Sequence, residues 1–350
     1  MSQGKNLEHL KIPLDHIKLV TDDFSDTYKL GDTAYYSFYS ARIHHFDKDQ
    51  NLSFAKGKNV IDEPPSIVIK RIRPDRLDEQ GHEMFLAELE MLTCVKHPSI
   101  VTLLGFCVEA SEKILVLEHL FQGRLSSYLT KKVNEVGPLT WEKRLKICID
   151  VAQALNYLHY EMEDQKIIIN RNINSHNIWL DDNYGAKIVE FGISRFMPPN
   201  QIGEALYLKR KLGLKVYMDP EYALRGKLKR ESDVYSFGVV LFEVVCGKLA
   251  DNPIFLEESQ DGLADVARRC FCTGTIEDII DPMIKEEIGS ENSFILNAQP
   301  NKDSLDTFLK IAYQCIAKIQ DHRPTMEVVV MELQKALSFL VRLKYIHTYI

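Results

Sequence analysis

The sequence is poor in cysteine and lacks any long apolar run. Its seven cysteines are odd in number and scattered over 350 residues, and no CxxC pair occurs. This usage is typical of a reducing compartment and excludes a dense disulfide framework. No stretch approaches the ~18 uncharged apolar residues of a membrane helix, and the N-terminus lacks the apolar core of a secretion signal. We therefore expect neither a signal peptide nor a membrane span.

A surplus of positive charge is also absent. The chain has 43 Lys and Arg against 50 Asp and Glu, a formal net charge of −7, so it has no general attraction to nucleic acid or anionic lipid. It does have enough apolar residues to fold, since 45% of the chain is hydrophobic and 27% is charged. Because 350 residues exceed what one hydrophobic core usually organises, we expect two lobes in a soluble chain.

Periodicity predicts an α+β chain whose first lobe, residues 28–120, is rich in strands. Short β-branched and aromatic runs are interrupted by one stretch, 83–94, with apolar residues at helical spacing. A polar insert at 44–65 is typical of a surface loop. The predicted strands cover residues 35–42, 66–71, 100–108 and 114–117.

Residues 121–340 predict a mainly helical second lobe. Apolar residues recur at helical spacing in 141–159, 233–245 and 325–343, whereas 281–304 shows no clear period and predicts a loop. We interpret residues 1–27 as a flanking segment and residues 341–350 as a tail.

Five short motifs follow one another along the chain. They are Ile67-Val68-Ile69-Lys70, Glu88 in the predicted helix, Asp219-Pro220-Glu221, Asp233 in SDVYSFGVVLFE, and Arg323 in HRPTM. Their order and spacing resemble a eukaryotic protein kinase domain over about residues 19–340. The segments LTWEKRLKICIDVAQALNYLH and SDVYSFGVVLFEVVCGK are similar in sequence to plant receptor-like kinases, particularly the FERONIA-like group.

The resemblance implies a bilobal protein kinase-like fold and a set of site residues. Lys70 would hold ATP phosphates and pair with Glu88, Glu221 would pair with Arg323, and Asp233 would stabilise the helical lobe. Asn177 and Glu190 take the metal-ligand positions. The residues implied in nucleotide binding are Lys70, Glu88, Gly31, Leu117, Glu118 and Leu120. The same residues also suit plain packing, and Lys70 with Glu88 can tie the helix to the sheet without any nucleotide.

The glycine-rich hairpin of such a domain is largely lost. Phosphates need glycines there because side chains would occupy their space. In Gly31-Asp32-Thr33-Ala34-Tyr35-Tyr36-Ser37-Phe38 only the first glycine remains, with Thr33 and Tyr36 at the second and third positions. An ordinary hairpin explains this sequence better than a phosphate cradle.

The catalytic loop holds amides where charged groups are expected. It contains Asn170-Arg171-Asn172, followed by Asn174 and Asn177. Asn172, at the base position, has no carboxylate to take up a proton, and such assistance typically contributes about 10²–10⁴-fold. Asn174 stands at the position of the catalytic-loop lysine. Glu190 replaces the metal-binding Asp and carries its carboxylate one methylene further out, which disfavours octahedral Mg²⁺ coordination.

The activation segment lacks the usual phosphorylation switch. Between Ser194 and Ser232 there is no Ser or Thr, so a phosphorylated hydroxyl for Arg171 could come only from a tyrosine. Residues 208–230 instead contain eight basic residues against two acidic ones, including Lys209, Arg210, Lys211 and Lys215. A solvated charged surface and a docking patch for an acidic or phosphorylated partner both remain open for this stretch.

These departures favour a pseudokinase, a kinase-like domain that acts as an interaction or allosteric module beside an active receptor-like kinase or another signalling protein. This interpretation requires neither ATP nor Mg²⁺ and involves no nucleic acid. It places the chain in the cytoplasm, including the inner face of the plasma membrane if a partner or further segment holds it there. Two alternatives stay open: an atypical active Ser/Thr kinase, and an ATP binder without turnover.

Overall fold

The computed structural model describes residues 7–42, 66–118, 123–130, 139–198, 205–289 and 300–348. The chain divides into two compact units, one formed by Met1–Lys96 and Val101–Phe121 and the other by His97–Ile100 and Gln122–Ile350. The first unit is built on a β-sheet and the second is mainly helical, so the predicted α+β class is confirmed. The predicted insert at 44–65 lies outside the described residues.

The first unit is organised by an antiparallel sheet. Its strands follow the spatial order β1-β2-β3-β5-β4. Alternate residues of β2 and β3 enter one face, where Tyr39, Ile67 and Ile69 pack into the core with residues of β5. The bounds are β1 (Lys29–Asp32), β2 (Tyr36–Arg42), β3 (Ser66–Ile72), β4 (Leu103–Glu109) and β5 (Glu112–Glu118).

Two helices complete the first unit, α1 (Leu14–Thr21) and α2 (Glu79–Leu92). Helix α2 starts four residues before the predicted position because Asp78 caps it, accepting a hydrogen bond from the Gly81 amide at 2.8 Å. The segment interpreted as flanking also contributes to the fold. Ile12 and Ile17 are buried in the same core, and the Ile12 amide donates to the Phe106 carbonyl at 2.8 Å.

The second unit is built around α6, which is buried on nearly its whole circumference. Every residue from Ser232 to Cys246 is buried, and most of these residues are apolar. The helices of this unit are α3 (Leu125–Thr130), α4 (Trp141–Asn156), α5 (Pro220–Arg225), α6 (Arg230–Cys246), α7 (Pro253–Glu258), α8 (Leu263–Thr273), α9 (Pro282–Gly289), α10 (Pro300–Cys315) and α11 (Met326–Thr348).

The second unit also contains short strands that pair into small sheets. They form the sheets β6-β8-β9, β7-β10 and β11-β12. The bounds are β6 (Gly123–Arg124), β7 (Ile167–Ile169), β8 (Ile178–Leu180), β9 (Ala186–Ile188), β10 (Arg195–Met197), β11 (Leu206–Tyr207) and β12 (Lys227–Leu228).

The loop predicted for residues 281–304 is wrong in part. Helix α9 lies within it and α10 begins at Pro300, while residues 290–299 lie outside the description. The Asp281 carboxylate accepts from the Met283 amide at 3.0 Å and Ile284 is buried, so a cap and one apolar anchor suffice for α9. Among the described residues, none of the helices has both the length and the apolar character required to cross a bilayer.

Candidate functional site

Lys70 and Glu88 form a buried ion pair in the first unit. Lys70 lies on β3, opposite Phe38 of β2 and Leu115 of β5, and the capped helix α2 supplies Glu88. The Lys70 Nζ lies 2.8 Å and 2.7 Å from the two Glu88 carboxylate oxygens. The side chains are 1% and 0% exposed. The pair therefore ties the helix to the sheet and leaves almost none of the ammonium accessible.

Tyr36 covers the lysine. The Lys70 Nζ lies 4.2 Å from the centroid of the Tyr36 ring and 5.9 Å from that of Phe38. Tyr36 is itself only 2% exposed. A cation on a desolvated aromatic ring is stabilised by about 2 kcal/mol. We call Lys70, Glu88 and Tyr36 the lysine centre; its ammonium lies between a carboxylate and an aromatic ring.

The hairpin that carries Tyr36 is held by hydrogen bonds of its own side chains. The Thr33 amide donates to the Tyr36 carbonyl at 2.7 Å, and the Tyr36 amide donates to Thr33 Oγ1 at 3.2 Å. Asp32 Oδ1 accepts from the Ser37 hydroxyl at 2.7 Å, and this bond, followed by the one from Lys29, lowers the pKa of Asp32. Gly31 is exposed and adopts a φ of 146°. The residues that replace the expected glycines thus close the hairpin.

Leu117 and Glu118, which the resemblance implies in nucleotide binding, have different contacts in the first unit. Leu117 is buried in β5 opposite Val68. Glu118 Oε1 accepts a hydrogen bond from the Thr102 amide at 2.8 Å, which ties the end of β5 to the residue before β4. Leu120 lies outside the described residues.

In the second unit, Asn172, Asn174 and Asn177 are joined by amide hydrogen bonds. Asn174 Nδ2 donates to the backbone carbonyl of Asn172 at 2.9 Å and to its Oδ1 at 3.2 Å. Asn177 Nδ2 donates to the same carbonyl at 3.0 Å. Asn174 Oδ1 caps the following turn by accepting from the amides of His176 and Asn177. We call residues 170–177 the asparagine loop; the side chains of Asn172, Asn174 and Asn177 in it are held by hydrogen bonds between uncharged amide groups.

Asp233 anchors this loop to α6. Its carboxylate accepts from the Asn170 amide at 2.7 Å and from the Arg171 amide at 2.8 Å, and lies 3.1 Å from His159 Nε2. Asn170 Nδ2 in turn donates to the Glu190 carbonyl at 2.8 Å. The loop backbone is therefore fixed from beneath by a single buried carboxylate.

Asn177 and Glu190 lie on neighbouring segments of this unit. The Val189 amide donates to the Asn177 carbonyl at 3.1 Å, and both side chains are half-buried. Within the ranges that the structure describes, no group of three or more His, Cys, Asp or Glu residues is arranged to hold a metal ion. The two residues thus offer one carboxylate and one amide as metal ligands.

Arg171 of the loop is engaged by protein groups. Its Nη1 donates to the Ile193 carbonyl at 2.6 Å, and its Nη2 donates to the Tyr222 hydroxyl at 2.5 Å. The Tyr222 hydroxyl also accepts from the Leu212 amide at 3.0 Å. Tyr222 is one of the tyrosines of the activation segment, for which the sequence predicts only a possible phosphorylation site. Its actual role as a buried partner of Arg171 could have been suspected because no Ser or Thr is available in this segment.

The predicted ion pair between Glu221 and Arg323 is wrong. Arg323 Nη2 instead lies 2.7 Å from Asp219 Oδ1, and both side chains are completely buried. Glu221 pairs with Lys227 at 2.9 Å and accepts from the Gln320 amide at 2.8 Å. The reason is position: Asp219 is the inward-facing cap of α5, whereas Glu221, in its first turn, reaches the surface.

Glu243 is a buried acid that the sequence analysis missed. The Tyr217 hydroxyl donates to Glu243 Oε1 at 2.5 Å, the Ala250 amide donates to the same oxygen at 2.8 Å, and the Ser175 hydroxyl lies 3.4 Å from the Tyr217 hydroxyl. Burial raises the pKa of Glu243 to about 7, against the lowering effect of these hydrogen bonds. A lone Glu in the apolar run VVLFEVV was the available signal.

The predicted partner patch lies on the surface of the second unit. Lys209, Arg210, Lys211 and Lys215 are all exposed. Lys211 Nζ donates to the Leu224 carbonyl at 3.0 Å, which places it beside the end of α5.

Comparison with known proteins gives consistent matches. A family model described as protein tyrosine and serine/threonine kinase matches residues 54–333. Receptor-like protein kinase ANXUR2 of Arabidopsis thaliana is 38% identical over 301 residues, which cover 84% of this chain and 32% of that protein. Receptor-like protein kinase THESEUS 1 of the same plant is 36% identical over 282 residues, covering 80% of this chain and 30% of that protein. The chain thus spans about a third of the length of these relatives.

Proposed function

We propose that this chain, which belongs to the protein tyrosine and serine/threonine kinase family, is a kinase-like domain of the receptor-like group that works as an interaction module. In this proposal it is a pseudokinase with an impaired catalytic site. One observation carries the proposal: the Lys70 ammonium is 1% exposed beneath the Tyr36 ring, 4.2 Å away.

The lysine centre opposes the binding of ATP phosphates. To reach Lys70, a phosphate would have to displace the Tyr36 ring, which forfeits a cation–π contact of about 2 kcal/mol. It would also have to open the Thr33 to Tyr36 hydrogen bonds, each of which contributes about 1 kcal/mol net. Asp32 adds a carboxylate in the same hairpin. In our proposal the residues present do not fit a triphosphate, and ATP is not a working cofactor.

The asparagine loop opposes the chemistry itself. Asn172 can hydrogen-bond a hydroxyl, yet its amide cannot take up the proton, and Asn174 supplies no cation for the transferred phosphate. Asn177 and Glu190 offer only one carboxylate for Mg²⁺, on a side chain one methylene longer than the expected Asp. We propose that Mg²⁺ is likewise not required.

The function left for this fold is recognition. We propose that its partner is another protein, either an active receptor-like kinase or a phosphorylated signalling protein, and that the chain works in the cytoplasm, including the inner face of the plasma membrane. The named relatives support this setting because they are receptor-like protein kinases.

Thermal denaturation with ATP, with and without Mg²⁺, tests the proposal alongside radiolabel transfer to the chain itself and to a generic substrate. A ligand that binds the folded state must raise its melting temperature. We expect no shift and no transfer. A shift without transfer would identify an ATP binder, and transfer would refute the pseudokinase proposal.

A second function, an atypical active kinase, is favoured by the intact Lys70 to Glu88 contact of 2.7 Å. Phosphoryl transfer depends mainly on positioning and electrostatics, so an ordered loop could support slow turnover. Lys70→Met distinguishes the two functions. Transfer by the wild type that is abolished in this variant would establish the second function.

A further inference from the structure

The acidic side chains of residues 205–230 are used inside the fold. Asp219 pairs with the buried Arg323, and Glu221 pairs with Lys227 at 2.9 Å. Lys229 is paired with Asp321 at 2.8 Å. The exposed charged side chains of this stretch are therefore all basic. They are Lys209, Arg210, Lys211, Lys215 and Arg225, which we call the basic face.

Backbone pairing brings most of the basic face together. Strand β11 pairs with β12, and the Leu208 amide donates to the Gly226 carbonyl at 2.9 Å. Lys211 Nζ lies 3.0 Å from the Leu224 carbonyl, so Lys211 is adjacent to Arg225. Tyr207 and Leu224 are 71% and 75% exposed in the same place. The face thus combines cations with two exposed apolar side chains.

Tyr222 holds this surface in place from within. Its hydroxyl accepts from Arg171 at 2.5 Å and from the Leu212 amide at 3.0 Å, while the Arg210 carbonyl lies 3.5 Å from Arg171 Nη2. The ring of Tyr222 is 3% exposed. The Tyr222 hydroxyl therefore supplies the acceptor that a phosphoryl group would otherwise offer to Arg171.

We infer that the basic face is a docking site for an acidic, phosphorylated peptide segment of a partner protein, with Tyr222 as its positioning residue. Arg and Lys bind phosphoryl and carboxylate oxygens with charge-assisted hydrogen bonds, and Tyr207 and Leu224 can contact apolar side chains between the acids. The inference deepens the proposed interaction role, but it holds whether or not ATP binds.

A peptide fits the charge distribution better than a membrane does. The whole chain carries −7, so the residues outside the basic face are together net negative. An anionic membrane extends beyond the basic face, so the negative charges of the other residues would repel it. A peptide contacts the basic face alone, and salt screens it from negative charges more than ~10 Å away.

Fluorescence anisotropy with the full chain tests this site. The probes are a fluorescein-labelled peptide with phosphoserines between Glu and Leu residues, a peptide of the same length with Glu in place of each phosphoserine, and vesicles of phosphatidylcholine with phosphatidylserine. The variant is Lys209→Glu/Lys211→Glu/Arg225→Glu. The matched control reverses the same charge on exposed lysines elsewhere in the second unit, Lys285→Glu/Lys302→Glu/Lys310→Glu.

We expect the variant to bind the phosphopeptide about tenfold more weakly than the wild type. The control should bind within about twofold of the wild type, because only the variant reverses charges that contact the peptide. Equal affinity for the Glu peptide would overturn the inference, because the basic face would then not recognise phosphoryl groups. Equal weakening in both triple variants would overturn the inference, as would vesicle binding without peptide binding. None of these outcomes depends on nucleotide binding, so failure here is separate from failure of the pseudokinase proposal.

Tyr222→Phe tests the positioning role. It removes the hydroxyl and leaves the ring, so we expect faster amide hydrogen exchange at residues 208–213 and weaker phosphopeptide binding, with a small change in melting temperature. Unchanged exchange in this segment would show that Tyr222 does not position the face.

Discussion

Lys70 and Asn172 stand at two positions where the family resemblance expects a charged group that acts on phosphate or substrate. Lys70 keeps its charge but is 1% exposed, because Glu88 and Tyr36 enclose it. Asn172 keeps an ordered place among amide hydrogen bonds but has no charge. The lysine centre thus contains the cation that could bind phosphate, but this cation is not accessible. The asparagine loop is ordered, but Asn172 has no carboxylate that could act as a base. A retained residue is therefore no evidence for catalysis until its accessibility is known.

The two regions should differ most in how much a single substitution lowers the free energy of unfolding. Lys70→Ala leaves the Glu88 carboxylate buried without its cation, which we expect to lower the free energy of unfolding by about 3–5 kcal/mol. Asn172→Ala removes one neutral hydrogen bond of 3.2 Å and should cost about 1 kcal/mol or less. Urea denaturation of both variants measures the difference.

The control for this prediction is Lys70→Met/Glu88→Leu, which removes both charges and keeps the volume. We expect it to recover most of the loss, because an apolar pair avoids desolvating two ions. Equal costs for Lys70→Ala and Asn172→Ala would contradict the contrast between the two regions.

The stability of the fold should depend on pH through Glu243, which is linked to Ser175 of the asparagine loop by the Tyr217 hydroxyl. Burial raises the pKa of Glu243 to about 7 from an ordinary 4.5, so the folded state holds the proton more tightly than the unfolded state does. Its contribution to stability is complete below about pH 4.5 and is lost as pH rises to about 7, an effect of about 3 kcal/mol.

Glu243→Gln mimics the protonated acid and removes this pH dependence. We expect the variant to match the wild type near pH 4.5 and to be more stable by about 3 kcal/mol at pH 8, as measured by denaturation across the range. A constant difference between the two proteins at all pH values would show that Glu243 does not titrate in this window.

Within the asparagine loop, the largest single contribution should come from Asn174. Its Oδ1 caps the turn Ser175–Asn177, so Asn174→Ala should lower the free energy of unfolding by about 1 kcal/mol. Asn174→Asp keeps the capping oxygen and should retain most of the stability. If both variants lose the same amount, the donor Nδ2 matters more than the cap.

The smallest expected effect comes from restoring the charge in the loop alone. If the missing base were the only defect of the site, Asn172→Asp should raise the rate of phosphoryl transfer about 10²–10⁴-fold. We expect no detectable transfer, because Lys70 remains enclosed. Radiolabel incorporation by this variant would show that the lysine centre does not block the reaction.

The order of elements was readable from the sequence, since hydrophobic period and motif spacing depend on local residues. The strand bearing Lys70, the helix bearing Glu88 and the resemblance to receptor-like protein kinases are all confirmed. The substitutions at Asn172, Asn174 and Tyr36 could also be located by motif position alone.

Side-chain partners were less predictable because they depend on which way a residue faces. Asp219 and Glu221 are two residues apart, yet only the first turns inward to meet Arg323. The sequence located Tyr36 at the third glycine position but could not place its ring over Lys70. The burial of Glu243 depends on contacts from Tyr217 and Ala250, which no local pattern reveals.

Calorimetric titration of the wild type and of Tyr36→Gly with MgATP measures whether the Tyr36 ring keeps ATP from Lys70, with circular dichroism to confirm that the variant is folded. We expect no binding to the wild type up to about 1 mM and measurable binding once the ring over Lys70 is removed. Wild-type binding with a Kd below about 0.1 mM that is lost in Lys70→Met would show that Lys70 is an accessible phosphate ligand and that Tyr36 does not exclude ATP.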